Sequence, residues 1–469
     1  MLGGYCQACF EKQREIDRLQ EEVVRLRGRL RYQERIAKDE GFFGSSTPSA
    51  KLPVKPNTAP VGSCPPRRGG ARVGHAGHGR QAATDQHAAR VQTVAHATQR
   101  CPHCRVALED RGVRRRTVID CPPIRPETTV YRLQVKRCPR CRRIFQAPPP
   151  GVLPKSLYGN QLLTHLAVQH YVYGVPLGRL EAQTHIGSGS MMAALHRLGR
   201  LFAAVPEQLL REYRRAPVKH ADETGWRTDG HNGYVWLFAT ADLSLFRFRT
   251  TRAAAVPKEV FGSKRLPGVL VVDRYNAYNK LPCRLQYCYA HLLREVEDLQ
   301  RQFEENPEVQ AFTSTFAPLL AAAMHLRPLP ISAAKWAVQA HDLKQAIIDV
   351  AHEQAQHPGI HRIQAIFRDH AARLYHWAAD RRVPAENNLA ERELRPLVIA
   401  RKVSFGSQSE AGARTRETLM TVLVTLRRRF PDFQARFKNA LDQLARQPAA
   451  NPYNLLFRNH SPPWQEQQL

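Results

Sequence analysis

One apolar run limits the folds open to this chain more than any other feature of its sequence. Residues 268–273 read Gly-Val-Leu-Val-Val-Asp, and four consecutive apolar residues are too continuous for a strand with one face in water. The run therefore predicts a strand inside a sheet that is covered on both faces. Asp273 closes it, and an acid there is costly unless it lies at an exposed functional rim, binds a ligand or caps a helix.

Three further strands are predicted before this run. They span residues 218–223, 233–240 and 244–249. Asp229-Gly230 and Asn232-Gly233 mark the connection between the first two, so the three strands should form an antiparallel meander. A helix over residues 253–261, the buried strand and a final helix complete the order. We expect an α+β multidomain chain with a ribonuclease-H-like core, because this order of elements is the layout of such a domain.

Two acids stand next to each other in the first strand. Neighbouring strand residues point to opposite faces, so Asp222 and Glu223 cannot both enter one site with Asp273. We assign Asp222 to that site. An acidic pair in a surface turn is the alternative, and the presence of a partner carboxylate argues against it. Carboxylates gathered in a basic chain predict divalent metal held against a phosphate backbone.

A third acid, Glu391, opens a helix in the motif Asn388-Leu-Ala-Glu391. The motif suits a metal ligand. It equally fits a capping box, in which Asn388 caps the helix and Glu391 folds back onto the first amide. The residues alone leave both possibilities open, with Glu386 and Glu393 as alternative acids. Pro396 predicts that this helix ends quickly.

The charge balance indicates a polyanionic partner. The chain has 70 Lys and Arg against 41 Asp and Glu, a formal net charge of +29. Double-stranded DNA is the expected partner, and an anionic membrane surface is the rival. Four basic residues after Glu391 are assigned to DNA contacts: Arg392, Arg395, Arg401 and Lys402. We expect a cytoplasmic protein without membrane insertion, because no apolar run reaches about 18 residues and the first residues lack a secretion signal.

Six of the ten cysteines stand in Cys-x-x-Cys pairs, a spacing that predicts zinc in a reducing compartment. Cys101/Cys104 and Cys138/Cys141 provide four thiolates for one tetrahedral ion in a zinc ribbon. Buried thiols without metal are the alternative.

Two other pairs give weaker metal signals. Cys6/Cys9 stands alone, without a second pair to complete a site. Cys288 and His291 have ligand spacing but supply only half of a zinc site. Structural packing is the expectation for Cys288 and His291, with metal binding as the alternative.

The amino-terminal part divides into three segments. Residues 1–40 contain a short heptad stripe that predicts a coiled-coil helix, used for self-association or docked on the same chain. Residues 41–100 form a basic flexible linker, suited to nucleic-acid backbone contacts or to a solvated tail. Residues 101–150 form the zinc-binding domain.

The rest of the chain begins with a helical DNA-binding region over residues 155–215. Within it, residues 177–185 and 188–202 make a candidate helix-turn-helix, although such helix pairs are common in any helical region. Three segments follow: a catalytic domain over 216–430, its helical insertion at about 292–385, and a C-terminal helix and tail over 431–469.

In their order along the chain, these motifs resemble transposases of the bacterial insertion-sequence-66 family, which have a DDE catalytic core. The matching segments are Ala221-Asp-Glu-Thr-Gly-Trp-Arg227, Asn232-Gly-Tyr-Val-Trp-Leu-Phe238, Asp273-Arg-Tyr-Asn-Ala-Tyr278, Cys288-Tyr-Ala-His291 and Asn387-Asn-Leu-Ala-Glu-Arg392, followed by Arg401-Lys402. The resemblance covers nearly the whole chain. It departs in residues 403–408, which are shorter than the family's usual segment, and in the pair Cys6/Cys9.

The resemblance implies a function and its residues. Asp222, Asp273 and Glu391 correspond to the family's metal-binding triad, which uses two Mg²⁺ (or Mn²⁺) ions to cleave the ends of a mobile element and to join them to target DNA. It also implies a homo-oligomer, accessory proteins of the same element and a bacterial, nucleoid-associated location. Two other classes stay open: a DNA-binding regulator or domesticated transposase without catalysis, and a metal-dependent nuclease without strand transfer.

Overall fold

The computed structural model of this chain describes residues 126–137, 139–142, 144–458 and 460, with isolated residues between 15 and 107. Contacts divide the chain into two units, Lys55–Arg125 and the remainder. The elements given below belong to the remainder.

Several predictions fall outside the described residues. They concern Cys6, Cys9, Cys101, Cys104, Cys138, most of the basic linker and most of the heptad stripe. Of the stripe, Ile16 and Leu19 are helical and exposed. Strands β1 (Val135–Arg137) and β2 (Ile144–Gln146) pair antiparallel, and Cys141 lies exposed between them. The zinc site itself stays a prediction.

The main sheet combines antiparallel and parallel strands. The described residues contribute β3 (Val218–Thr228), β4 (His231–Ala239), β5 (Ser244–Arg249), β6 (Val269–Val272) and β7 (Arg284–Tyr287). Their order in space is β5-β4-β3-β6-β7, with β3, β4 and β5 antiparallel and with β6 and β7 parallel to β3. The predicted meander is confirmed. The buried strand is confirmed as well, since all of β6 is buried.

The turn between β3 and β4 consists of Asp229 and Gly230, whose φ angles are 52° and 74°. Positive φ at both central residues suits a two-residue hairpin, because the twist of such a turn matches that of the strands. Asn232-Gly233, also predicted for the turn, lies inside β4 instead. A side chain at Gly233 would clash there, since its Cβ would lie 2.9 Å from the carbonyl oxygen of Arg249.

Helices precede and follow the sheet strands. Those before β6 are α1 (Asn160–Tyr171), α2 (Leu177–Thr184), α3 (Ser188–Leu201), α4 (Val205–Arg215) and α5 (Ala255–Phe261). Those after β7 are α6 (Tyr289–Gln302), α7 (Pro307–Leu326), α8 (Ala333–His352), α9 (Pro358–Asp369), α10 (His376–Ala379), α11 (Asn388–Ser404), α12 (Glu410–Arg429), α13 (Phe433–Arg446) and α14 (Pro452–Phe457). Helices α2 and α3 lie where the helix pair was expected, and α6 to α10 cover most of the segment predicted as a helical insertion, which stays a prediction as a domain division.

Helix α12 covers the outer edge of β5 with side-chain acceptors. The backbone N–H groups of Ser244 and Phe246 donate to the hydroxyls of Thr425 and Thr421, at 3.2 and 3.1 Å. The N–H of Phe248 donates to Glu417 at 2.9 Å. One helical turn and two strand residues have similar lengths of about 6 Å, so acceptors four residues apart match donors two residues apart. The edge is thereby closed to pairing with another strand.

Helix α11 continues through Pro396 to Ser404, so the predicted early end is wrong. Proline removes one helical hydrogen bond. Leu394, Leu397 and Ala400 are nevertheless buried where the helix packs on β3 and β4, and this packing holds the helix together across the proline.

Among the described helices, α7 alone is long and apolar enough to cross a membrane, judged by length and composition. It packs against α6 and α8 through buried residues that include Phe312, Phe316 and Leu320. Core helices of globular domains pass the same test, so the match is weak support for a membrane span.

Candidate active site

Asp222 and Asp273 lie level with each other on two neighbouring parallel strands, just beyond the last residues that pair. Asp222 lies in β3, and Asp273 directly follows β6. The last register pair of these strands is His220 with Val271, so the two acids, each two residues further on, are level. Neighbouring strands lie about 4.8 Å apart, and level residues of parallel strands share a face. The sheet thus brings together two acids that are far apart in sequence.

Glu391 completes a group of three carboxylates. It lies in the first turn of α11, which packs on β3. Burial raises the pKa of Asp222 well above its ordinary value, and the charges of Glu223, Asp273 and Glu391 raise it further. The pKa of Glu391 rises to about 7, chiefly through burial, while Arg294 and Arg395 act in the opposite direction.

Asp273 shares this environment. Burial raises the pKa of Asp273, although its carboxylate accepts the N–H of Tyr275 at 3.0 Å and the charges of Arg252 and Arg274 favour ionisation. Three clustered acids with raised pKa values form a site that favours added positive charge.

Glu223, the neighbour of Asp222, lies in a different environment. Its buried carboxylate accepts two hydrogen bonds from Arg252, at 2.9 and 2.6 Å, and another from the hydroxyl of Tyr278. Both of its oxygens therefore have protein donors. Burial and the charge of Asp273 nevertheless raise the pKa of Glu223, so Glu223 also lies near the carboxylate group. The assignment of Asp222 rather than Glu223 to the site stays a prediction.

The start of α11 differs from the predicted capping box. Asn387, not Asn388, is the N-cap residue, and its side chain makes no capping bond. Glu391 is therefore one residue beyond the position that folds back onto the cap. Its Oε1 is buried and has no hydrogen-bond partner among the described residues. This unpartnered oxygen is available to a ligand.

Asn387 is a positioning residue that sequence reasoning missed. Its amide group donates to the carbonyl of Ala221 at 2.9 Å, and its Oδ1 lies 2.9 Å from Nδ1 of His220. Its backbone N–H donates to Sγ of Cys288 at 3.1 Å. These contacts join the start of α11 to β3 and to the start of α6. The pair Asn387-Asn388 before Glu391 is the sequence feature that could have indicated this role.

Cys288 and His291 also lie beside Glu391. Cys288 is the N-cap residue of α6, and His291 is in its first turn. Their donor atoms and a carboxylate oxygen of Glu391 lie within 4.8 Å of one another. Burial and the charge of Glu391 raise the pKa of Cys288 to about 12, while burial and two arginines lower that of His291 to about 4. The spacing of Cys288 and His291 could not show that Glu391 is their neighbour.

The four basic residues assigned to DNA contacts lie in two settings. Arg392 and Arg395 are exposed near the start of α11. Arg401 is half-buried, and its guanidinium donates to the hydroxyl of Thr224 and to the carbonyl of Gly225, so it ties α11 to β3. Lys402 is half-buried next to it.

A cleft of about 510 Å³ opens beside the start of α11. It is lined by basic and apolar side chains, among them Arg327, Arg392, His220 and Leu389, and by Glu386. Glu393, the other alternative acid, instead accepts a hydrogen bond from Ser244 of β5 at 3.3 Å. The cleft therefore presents positive charge beside the first turn of α11, although Asp222, Asp273 and Glu391 do not line it.

Two comparisons with known proteins bear on this site. A sequence model described as "Transposase IS66 family" matches residues 155–415, a range that contains all three acids. The chain is also 26% identical over 328 residues to the uncharacterized protein y4qI of Sinorhizobium fredii, which covers 60% of this chain and 59% of that protein. This chain thus spans about three fifths of that relative's length. Because the family match extends over more than half of its residues, the chain belongs to the IS66 family of transposases.

Proposed function

We propose that this protein is a DNA transposase that cleaves DNA strands and transfers them by metal-dependent phosphoryl transfer. The convergence of Asp222, Asp273 and Glu391 carries the proposal, because three acids from distant parts of the chain lie near one another beside the central strands β3 and β6. The order β5-β4-β3-β6-β7, followed by α11 on the sheet, supports a ribonuclease-H-like core.

The three carboxylates would hold two Mg²⁺ or Mn²⁺ ions. Carboxylate oxygens are the hard ligands that these ions prefer, and the buried Oε1 of Glu391 fits this use because it has no hydrogen-bond partner among the described residues. When bound, such metal supplies Lewis acidity and activates water or a DNA 3′-hydroxyl.

The other residues of the site would position these groups and bind DNA. Asn387 fixes the start of α11 against β3, and thereby the place of Glu391. Arg392 and Arg395 are exposed on α11, with Arg395 near Glu391 and Arg392 lining the cleft, and would contact phosphates. Helices α2 and α3, together with the predicted zinc ribbon, would hold the terminal repeats. Two ends must be joined, so we propose a homo-oligomer, with accessory proteins of the same element as further partners.

A strand-transfer assay tests the proposal. A labelled duplex carrying an end of the element is incubated with the protein, Mg²⁺ and a target plasmid. Asp273→Asn should lose both cleavage and joined product but should still bind the duplex. Glu393→Gln is the control, since its carboxylate accepts a hydrogen bond from Ser244 of β5.

Each result has a distinct meaning. Retained cleavage by Asp273→Asn would remove Asp273 from the mechanism. Cleavage by the unmodified protein without joined product would indicate a nuclease. Duplex binding without either reaction would indicate a regulator or a domesticated transposase.

A further inference from the structure

Three different donor atoms meet at the start of α6. The thiol of Cys288, a ring nitrogen of His291 and a carboxylate oxygen of Glu391 lie within 4.8 Å of one another. Cys288 follows β7 directly and its N–H donates to the carbonyl of Val272 at 2.8 Å. This bond fixes the backbone of Cys288 at the carboxyl ends of β6 and β7. The first turn of α6 then brings His291 to the same side as Cys288, because residues three apart share a helix face.

Two of these groups have unused hydrogen-bonding capacity. Oε1 of Glu391 and Nδ1 of His291 are buried atoms without hydrogen-bond partners among the described residues. Glu391 as a whole is 4% exposed. Buried polar atoms in proteins are nearly always paired, so two unpartnered atoms at one point indicate a missing ligand.

The donor set selects the kind of ligand. Sulfur, imidazole nitrogen and carboxylate oxygen together suit zinc, whereas Mg²⁺ prefers oxygen alone. Three protein ligands leave a fourth position of the tetrahedron open for water or substrate. The N–H of Asn387, which donates to Sγ of Cys288 at 3.1 Å, is the type of second contact that orients a metal-bound thiolate.

The surrounding charges are mixed. Arg294 and Arg274 lie near His291 and oppose a cation there. Arg274 is paired with Glu295, which offsets its charge. Near Glu391, the charges of Arg294 and Arg395 oppose a cation, and those of Asp273 and Glu386 favour one.

We propose that Cys288, His291 and Glu391 form a transition-metal site that takes Zn²⁺ through one sulfur, one nitrogen and one oxygen ligand. Glu391 belongs both to this site and to the group of three carboxylates. Only the role of Glu391 in that second group rests on the proposed function. Zinc binding itself depends on no DNA reaction.

Cobalt substitution tests the site in the full-length protein. Metal-free protein is titrated with Co²⁺, and the sulfur-to-cobalt charge-transfer absorption is recorded. The predicted Cys-x-x-Cys site also contributes absorption, so the measured quantity is the difference from Cys288→Ser. We expect that variant to lose the absorption of one thiolate–cobalt site and to bind one equivalent of Zn²⁺ less. Cys283→Ser is the matched control, a half-buried thiol whose bond goes to the carbonyl of Gly268; it should keep both values.

His291→Asn provides a second variant if Cys288→Ser does not fold, and circular dichroism checks folding of both. It should lose the same zinc equivalent. Unchanged cobalt absorption and zinc content in either folded variant would overturn the proposal. This outcome is independent of the strand-transfer assay. A protein that is inactive on DNA can still bind cobalt through Cys288, and a protein that is active on DNA can lack this cobalt site.

Discussion

Two carboxylate environments beside the same sheet differ: that of Glu417 on α12, and that of Asp222, Asp273 and Glu391. At the β5 edge, Glu417 accepts hydrogen bonds from Arg247 at 3.1 Å, from Arg249 at 2.9 Å and from the N–H of Phe248 at 2.9 Å. Beside β3 and β6, burial raises the pKa of Asp222 and of Glu391, and the charge of Asp273 raises both further. An oxygen of Glu391 has no hydrogen-bond partner among the described residues.

The difference separates structural acids from functional ones. Burying a carboxylate costs free energy unless donors or charges compensate it. Glu417 has that compensation within the chain and serves the fold. The group at β3 and β6 has little of it and is suited to a cation that the chain does not supply. The neighbouring residues Asp222 and Glu223 differ in a similar way, because both carboxylate oxygens of Glu223 accept hydrogen bonds from protein side chains.

The largest expected effect concerns Glu391. Glu391→Gln removes a proposed metal ligand, so strand cleavage should fall by at least about 10²-fold. Its free energy of unfolding should stay equal or increase, because the change removes repulsion from a crowded group. Single-turnover cleavage and urea unfolding measure the two effects. A variant that is both active and less stable would place Glu391 with the structural acids.

Glu417→Ala should show the reverse pattern. It leaves Arg247, whose side chain is 9% exposed, and the N–H of Phe248 without their acceptor. We expect a loss of about 2–3 kcal/mol in the free energy of unfolding, somewhat less than for a fully buried pair. Activity per folded molecule should be unchanged, measured below the unfolding transition. A large activity loss at unchanged stability would contradict the comparison.

The pH dependence of stability gives a third test. The folded-state pKa of Glu391 is about 7, raised from 4.5. The folded protein therefore keeps a proton that the unfolded chain releases between about pH 4.5 and 7, so the contribution of Glu391 to stability falls as the pH rises through this window. Glu391→Gln does not titrate. Its free energy of unfolding minus that of the unmodified protein should rise by on the order of 1–3 kcal/mol across the window in metal-free buffer.

Subtracting the two proteins isolates this effect. His220 and His291 have lowered pKa values and change stability in the opposite direction, but both proteins contain them. Urea unfolding at several pH values gives the difference, and added Mg²⁺ should reduce it. A difference that is independent of pH would show that Glu391 is not held under repulsion.

The smallest expected effect is at the β5 edge. Thr421→Val keeps the shape of the side chain and removes the acceptor of the Phe246 N–H. We expect a loss of about 1–2 kcal/mol in the free energy of unfolding. Thr418→Val, on the same helix at a half-buried position, should cost less than about 0.5 kcal/mol. Equal losses in the two variants would argue against the edge contacts.

Local patterns predicted much of the fold. The apolar run before Asp273 predicted β6, and three alternating segments predicted the meander. Strand β7 was missed because Arg284–Tyr287 is too short a pattern by itself. A strand as buried as β6 is expected to pair on both sides, so the sequence could have indicated a further strand next to β6. Helix α11 continues past Pro396 because its packing on the sheet stabilises it. Local helix propensity contains no information on that packing, so the predicted end was wrong.

The sequence alone determined the meander β3–β5, the buried strand β6, the facing of Asp222 away from Glu223 and the basic composition, because each follows from local residue patterns or from composition. Only the tertiary structure decided the neighbours of Glu391. Asn387 bonds to His220 across 167 residues of chain, and Cys288 and His291 reach Glu391 from another helix. Such contacts depend on how distant elements pack against one another, and residue spacing along the chain does not determine this packing.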